Sequence, residues 1–113
     1  MECIFCKIIN GEIPAKILYK DDKVVAVADI SPQAPVHLLI VPQKHIPTVL
    51  DLEEIDKELV GHVYLIAKKL AVENNIAVNG FRLVTNCNKD AGQTIFHIHF
   101  HLLGGRKMKW PPG

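Results

Sequence analysis

Ile95-Phe96-His97-Ile98-His99-Phe100-His101-Leu102-Leu103 is the stretch from which the rest of the chain is read. Histidines fall at every second position, with apolar residues between and around them. Period-two alternation in β-branched and aromatic residues predicts a strand over residues 95–103. Successive strand side chains point to opposite faces, so His97, His99 and His101 are expected along one face, next neighbours about 7 Å apart. Phe96, Ile98, Phe100 and Leu102 then form the other face and belong in a core. Three imidazoles in a row do little for packing. Imidazole titrates near neutral pH, acts as acid, base or nucleophile, and binds metals. A lone strand histidine is ordinarily structural, but half of the chain's six histidines stand in these five positions. A zinc site built from all three competes with this reading. Tetrahedral ligation at about 2 Å from one ion suits three successive same-face positions poorly, so the row is expected to divide its labour.

The flanks are polar and rich in turn formers. Cys87 to Thr94 reads as a loop in which Gly92 lets backbone amides approach a ligand, with Asn86, Gln93 and Thr94 as further donors. Gly104-Gly105 ends the strand, and Arg106 to Gly113 is a basic, Pro-rich tail. Its Trp110 suggests a tail pinned on something, such as a partner subunit. Gly80 to Asn86 is a second strand. A long helix is expected over residues 53–74, capped by Asp51 with Glu54 three residues on. Its buried stripe is Ile55, Leu59, Val63, Ile66 and Leu70, with His62 and Tyr64 as scaffold beside it. Val36 to Val41 is a strongly apolar strand closed by Pro42. His37 interrupts it, and a buried polar group needs a partner. His45 follows in a loop, as a metal ligand or an exposed residue. Lys16–Lys20 and Val24–Ile30 form a hairpin around Asp21-Asp22-Lys23. Asp29 at its end either caps the turn or accepts hydrogen bonds from a sugar diol. Cys3-Ile4-Phe5-Cys6 is a redox pair, half of a zinc site or two plain thiols, within a short helix over residues 3–9.

Composition bounds the rest. At 113 residues the chain is read as one domain, residues 1–113. With 49% hydrophobic and 22% charged residues it has the balance of a soluble globular domain. A net charge of +1 gives no electrostatic ground for a nucleic-acid or membrane partner. No apolar run reaches transmembrane length, and Met1-Glu2-Cys3 begins no signal peptide. Three cysteines without an export signal point to reduced thiols in the cytoplasm.

The sequence resembles the histidine triad (HIT) family, whose motif of alternating histidine and apolar residues matches His97-Ile98-His99-Phe100-His101-Leu102-Leu103. Asp29-Ile30-Ser31-Pro32-Gln33-Ala34-Pro35-Val36-His37, the Gly92-Gln93-Thr94 approach and the Gly104-Gly105…Trp110-Pro111-Pro112-Gly113 end resemble its Hint branch. The resemblance covers essentially the whole chain.

It implies an α+β fold: an antiparallel sheet of about five strands with one long helix and a short N-terminal one. It also implies a homodimer with a continuous sheet, the C-terminal tail lying near the partner's site. The ligand class is a purine nucleoside monophosphate. The reaction is hydrolysis of a phosphoramidate or acyl-phosphate bond through a nucleotidyl-histidine. By resemblance His99 is the nucleophile, His101 a phosphate donor, and His37 the support of the relay behind the nucleophile. Asn86, Gly92, Gln93 and Thr94 (where the family usually carries Ser) surround the phosphate. Asp29 binds the ribose, and Ile4, Phe5, Ile8, Val27 and Ile30 wall the base. The cysteine pair matches bacterial members in which structural zinc takes Cys3, Cys6, His45 and His97, so that His97 serves both metal and triad. A non-catalytic nucleotide-binding module and a dinucleoside polyphosphate hydrolase are the alternatives.

Overall fold

The computed structural model describes residues 3–113; the Met1-Glu2 start lies outside them. Its elements are α1 (Ile4–Ile9), β1 (Ile17–Lys20), β2 (Val24–Ala28), β3 (Val36–Pro42), α2 (Lys57–Glu73), β4 (Phe81–Thr85) and β5 (Phe100–Gly104). The five strands form one sheet in the order β1-β2-β3-β5-β4, with every neighbouring pair antiparallel. This is the expected α+β architecture. None of the described helices is long and apolar enough to cross a membrane.

The two faces of the sheet carry different cores. On one, Val63, Ile66, Ala67 and Leu70 of α2 pack with Val24, Ala26, Leu38, Ile40, Ile98, Phe100 and Leu102. On the other, Val25, Val27 and Val41 pack with Cys3 and Phe5 at the start of α1. Strand β2 is therefore buried on both faces, which explains its unbroken apolar run.

The histidine strand is shorter than its pattern predicts. The ladder begins at Phe100, paired with Ile40 of β3 and Thr85 of β4. Residues 95–99 lie beyond it, held by single bonds such as Ile98 N–H to Ile46 O (2.7 Å). Alternation persists without a ladder because Ile98 and Phe100 still enter the core. Phe96 departs from it, being 49% exposed instead of buried.

The helix also differs at its start. Asp51 does not cap α2; it accepts from the backbone and hydroxyl of Thr48 in a preceding 3-10 turn. Residues 54–56 form a second 3-10 turn, stabilised by Asp56 accepting from Glu53 N–H (2.9 Å) and Lys44 Nζ (2.7 Å). Ile55 lies in that turn, off the helical stripe, and is 81% exposed. His62 is scaffold as expected: its Nε2 lies 2.7 Å from Asp21 Oδ2. The tail is held by its own chain, since Arg82 donates to Lys109 O (2.9 Å) and Pro112 O (3.2 Å), while Trp110 stays exposed.

Candidate functional site

Backbone groups settle the proton positions of the histidine row. A carbonyl oxygen only accepts, so the ring nitrogen bonded to it must carry hydrogen. His99 Nδ1 lies 2.8 Å from His97 O. Nδ1 is therefore the N–H, and Nε2 of the neutral ring keeps its lone pair. His97 Nε2 lies 2.7 Å from Pro42 O, so His97 Nδ1 carries the lone pair.

The third tautomer is set from the other direction. Gln33 N–H donates to His37 Nδ1 (3.0 Å), which makes His37 Nε2 the N–H. That hydrogen points at His101 Nδ1 (3.0 Å) and Asp29 Oδ2 (3.3 Å). His101 Nδ1 then accepts, and His101 Nε2–H is left as a donor. The three groups are close enough to bind a metal, but a His37 ring accepting at Nδ1 has no second lone pair to offer. They form a hydrogen-bond chain. The ring partner of His37 is thus His101. The rings of His99 and His101 lie 5.2 Å apart, centroid to centroid, so a lone pair and a donor sit side by side. Burial, then the neighbouring His99 and His37, push His101 below its ordinary pKa despite Asp29. That keeps it neutral near pH 7, as the hydrogen-bond chain requires.

Other predicted residues frame this pair. Phe5 meets His99 and His97 edge-on, at centroid distances of 5.0 and 5.8 Å. Phe5 and Val27 are buried together. Ile4 and Ile30, by contrast, are exposed. Ile8 is half-buried against the same cluster. Asp29 serves its turn, accepting from Ser31 N–H (2.8 Å), as well as facing His37. The 86–94 loop is tied internally. Asn86 Nδ2 donates to Ala91 O (2.8 Å), and Gln93 Nε2 donates to Pro47 O (2.8 Å) and Ile95 O (3.1 Å). Gln93 Oε1 accepts from Asn88 N–H, so its carboxamide is engaged in shaping the loop. Gly92 holds φ +88°, a left-handed conformation that favours glycine. Thr94 is exposed beside a cavity of about 530 Å³ that Ile4, Lys7, Ile13, Ile95 and Phe96 also line.

Cys3, Cys6, His45 and His97 come together, with one ligand atom from each lying within 4.8 Å of the others. His45 Nδ1 and His97 Nδ1 are 3.0 Å apart, and Cys3–His97, Cys6–His45 and Cys6–His97 have sulfur–nitrogen separations of 3.3, 3.4 and 3.6 Å. Ion–ligand bonds of about 2.0–2.3 Å imply tetrahedral edges of about 3.3–3.8 Å, so the donor set fits an ion with small adjustments. His97 already makes the outer bond, to Pro42 O, that a metal-bound histidine characteristically has. His45 Nε2 is buried with no hydrogen-bond partner among the described residues, so the ring's polar contacts run through Nδ1, the atom an ion would take. Burial and the adjacent Cys3 push the Cys6 thiol up; a cation reverses that preference.

Sequence reasoning missed the groups that hold the histidines. Pro42 O, Gln33 N–H and the Thr85 hydroxyl, which donates to His99 O (3.2 Å), carry no side-chain signal of this role. Only the apolar run closed by Pro42 hinted at a neighbour for the row.

A family model described as HIT domain matches residues 10–108. The purine nucleoside phosphoramidase of Escherichia coli is 50% identical over 107 residues, covering 95% of this chain and 90% of that protein. The crystal structure of a HIT family hydrolase from Legionella pneumophila superposes with a TM-score of 0.97 at 52% identity, covering 99% of this chain and all of the other. A zinc-bound histidine triad family protein from Mycobacterium smegmatis superposes with a TM-score of 0.82 at 30% identity, covering 94% and 76%.

Proposed function

This chain belongs to the HIT domain family, and on that footing we propose that it hydrolyses purine nucleoside phosphoramidates or acyl-nucleotides at phosphorus and releases the nucleoside monophosphate. The observation that carries the reading is the opposed protonation of His99 and His101, fixed by His97 O and Gln33 N–H. A similar protein bears the name purine nucleoside phosphoramidase.

In this reading His99 Nε2 attacks phosphorus and the P–N or P–O bond breaks, the leaving group departing as an amine that takes a proton from solvent or as a carboxylate, giving a nucleotidyl-imidazole. The positive charge on that ring is stabilised at Nδ1–H by His97 O. His101 Nε2–H donates to a phosphate oxygen and stabilises charge that grows in the transition state. Thr94, Asn86 and the amides near Gly92 and Gln93 hold the phosphate, and Asp29 takes the ribose. Ile4, Ile8 and Ile30, backed by Phe5 and Val27, wall the base. Water then attacks phosphorus, the bond from phosphorus to His99 Nε2 breaks, the water gives up a proton to solvent, and His99 regains its lone pair. Zn2+ held by Cys3, Cys6, His45 and His97 would be structural: four protein ligands close the shell and tie α1 to the triad. Reduced thiols suit the cytoplasm. Strand β4 is an edge of the sheet, and pairing it with a second copy would make a homodimer with a continuous sheet, the tail near the partner's site.

The test is amine release from a fluorogenic adenosine phosphoramidate, with His99→Ala alongside. Turnover lost in the variant while AMP still binds supports the nucleophile. Undiminished turnover refutes it, and no turnover in either protein with AMP bound favours a binding module.

A further inference from the structure

We propose that Arg106 is a positioning residue for the phosphate donor: from the base of the tail it clamps the 31–35 loop, and that clamp fixes which nitrogen of His101 carries hydrogen. The role of His101 rests on the hydrolase reading above; the clamp is geometry alone.

Arg106 Nε donates to Gln33 O (2.9 Å). The amide of the same residue donates to His37 Nδ1 (3.0 Å). Gln33 is thus held at its carbonyl by the tail and holds the imidazole with its N–H. The same segment leaves little room beside that loop. Gly105 sits at φ +91°, and a Cβ there would lie 2.9 Å from Pro35 Cβ. Of the other bonds, Ser31 N–H to Asp29 Oδ1 and Gln33 Nε2 to Ser31 O are local to residues 29–33, and Asp29 N–H to His37 O (3.0 Å) closes the base of the loop. They shape the loop without anchoring Gln33 over His37.

If Gln33 N–H withdraws, one of the two constraints on His37 is gone, and only Asp29 Oδ2, 3.3 Å from Nε2, still favours hydrogen there. His37 can then carry hydrogen on Nδ1 and accept at Nε2 from His101 Nδ1–H. His101 Nε2 becomes a lone pair facing the phosphate oxygen it should donate to. No group is displaced; two rings exchange tautomers, and a donor becomes a repulsive acceptor. The groups facing His101 are His99, His37 and Asp29, and none of them is a backbone donor that replaces Gln33.

The experiment combines ring-nitrogen NMR of His37 and His101 with steady-state hydrolysis of an adenosine phosphoramidate. In wild type, Nδ1 of both rings is expected without hydrogen. Arg106→Ala should put hydrogen on both in part of the population and lower kcat about three- to tenfold, with KM changed less, as suits one lost hydrogen bond. Arg106→Lys should recover part of the loss, since an ammonium still donates to a carbonyl. Gly105→Ala should give the same signature by pushing on Pro35. Lys107→Ala, which removes an adjacent cation only, should match wild type. Wild-type tautomers in Arg106→Ala, whatever its kcat, overturn the inference. Wild type without turnover defeats the hydrolase reading, and the tautomer populations then decide the clamp alone.

Discussion

His97 presents its ring to a cysteine–histidine cluster and its carbonyl oxygen to His99 Nδ1, 2.8 Å away. One residue therefore joins the candidate metal site to the candidate nucleophile. Whatever fixes the His97 ring also fixes the acceptor that determines which nitrogen of His99 is free.

Metal content follows from that donor set. Purified protein should carry a single Zn2+ per chain by elemental analysis, since the four ligands complete one tetrahedron. Cys6→Ser and His45→Ala should each lose it, and chelation should lower Tm. Wild-type protein free of zinc after expression in zinc-replete medium, and unable to take it up, would sink this prediction.

His101→Ala removes the donor beside the nucleophile but leaves the His99–His97 bond in place. The expected loss is about 10²-fold in kcat, the scale of one transition-state donor. Steady-state hydrolysis of an adenosine phosphoramidate measures it; a change under twofold would remove His101 from the mechanism.

Acid stability should report on Asp21. Burial favours its neutral form, but bonds from Tyr19, Val24, His62 and Lys23 outweigh that and hold the carboxyl well below the usual carboxylate range. The folded pKa is depressed, so the stabilisation is complete above the unfolded value of about 4 and fades as pH falls below it. Asp21→Asn should cost about 1–3 kcal/mol at pH 7, and the gap to wild type should narrow below about pH 4. Denaturant titrations across pH measure both; a gap that does not vary with pH contradicts the assignment.

Ile98 and Phe96 separate the sequence pattern from the packing. Alternation puts both on the core face, yet Ile98 is 2% exposed and Phe96 49%. Ile98→Ala should cost about 2–5 kcal/mol, and Phe96→Ala less than about 1 kcal/mol. Equal losses in chemical denaturation would place Phe96 in the core after all.

Much of the fold was legible because period and burial agree. The β1–β2 hairpin, the α2 stripe from Val63 to Leu70 and the turn at Asp21 are local patterns that the sheet enforces. Errors fell where tertiary contacts override local signals. The Asp51 cap failed because Thr48 offers that carboxylate a nearer pair of donors. Ile55 missed the core because the chain completes a 3-10 turn before the α-helix begins. The 95–103 strand was overlong because neither β3 nor β4 pairs with β5 before Phe100.

By itself the sequence determined which residues are candidates for chemistry: three alternating histidines, a fourth at His37 and a cysteine pair, with His45 joined to them by resemblance. Residue type and spacing single out the alternating row and the cysteine pair, because imidazoles and thiols have few other uses in such density. Only the tertiary structure decided which nitrogen of each ring is free. That choice rests on Pro42 O, His97 O and Gln33 N–H, and every residue but proline has the same amide and carbonyl. Identical groups leave no mark in a sequence, so their effect is set by where the fold places them.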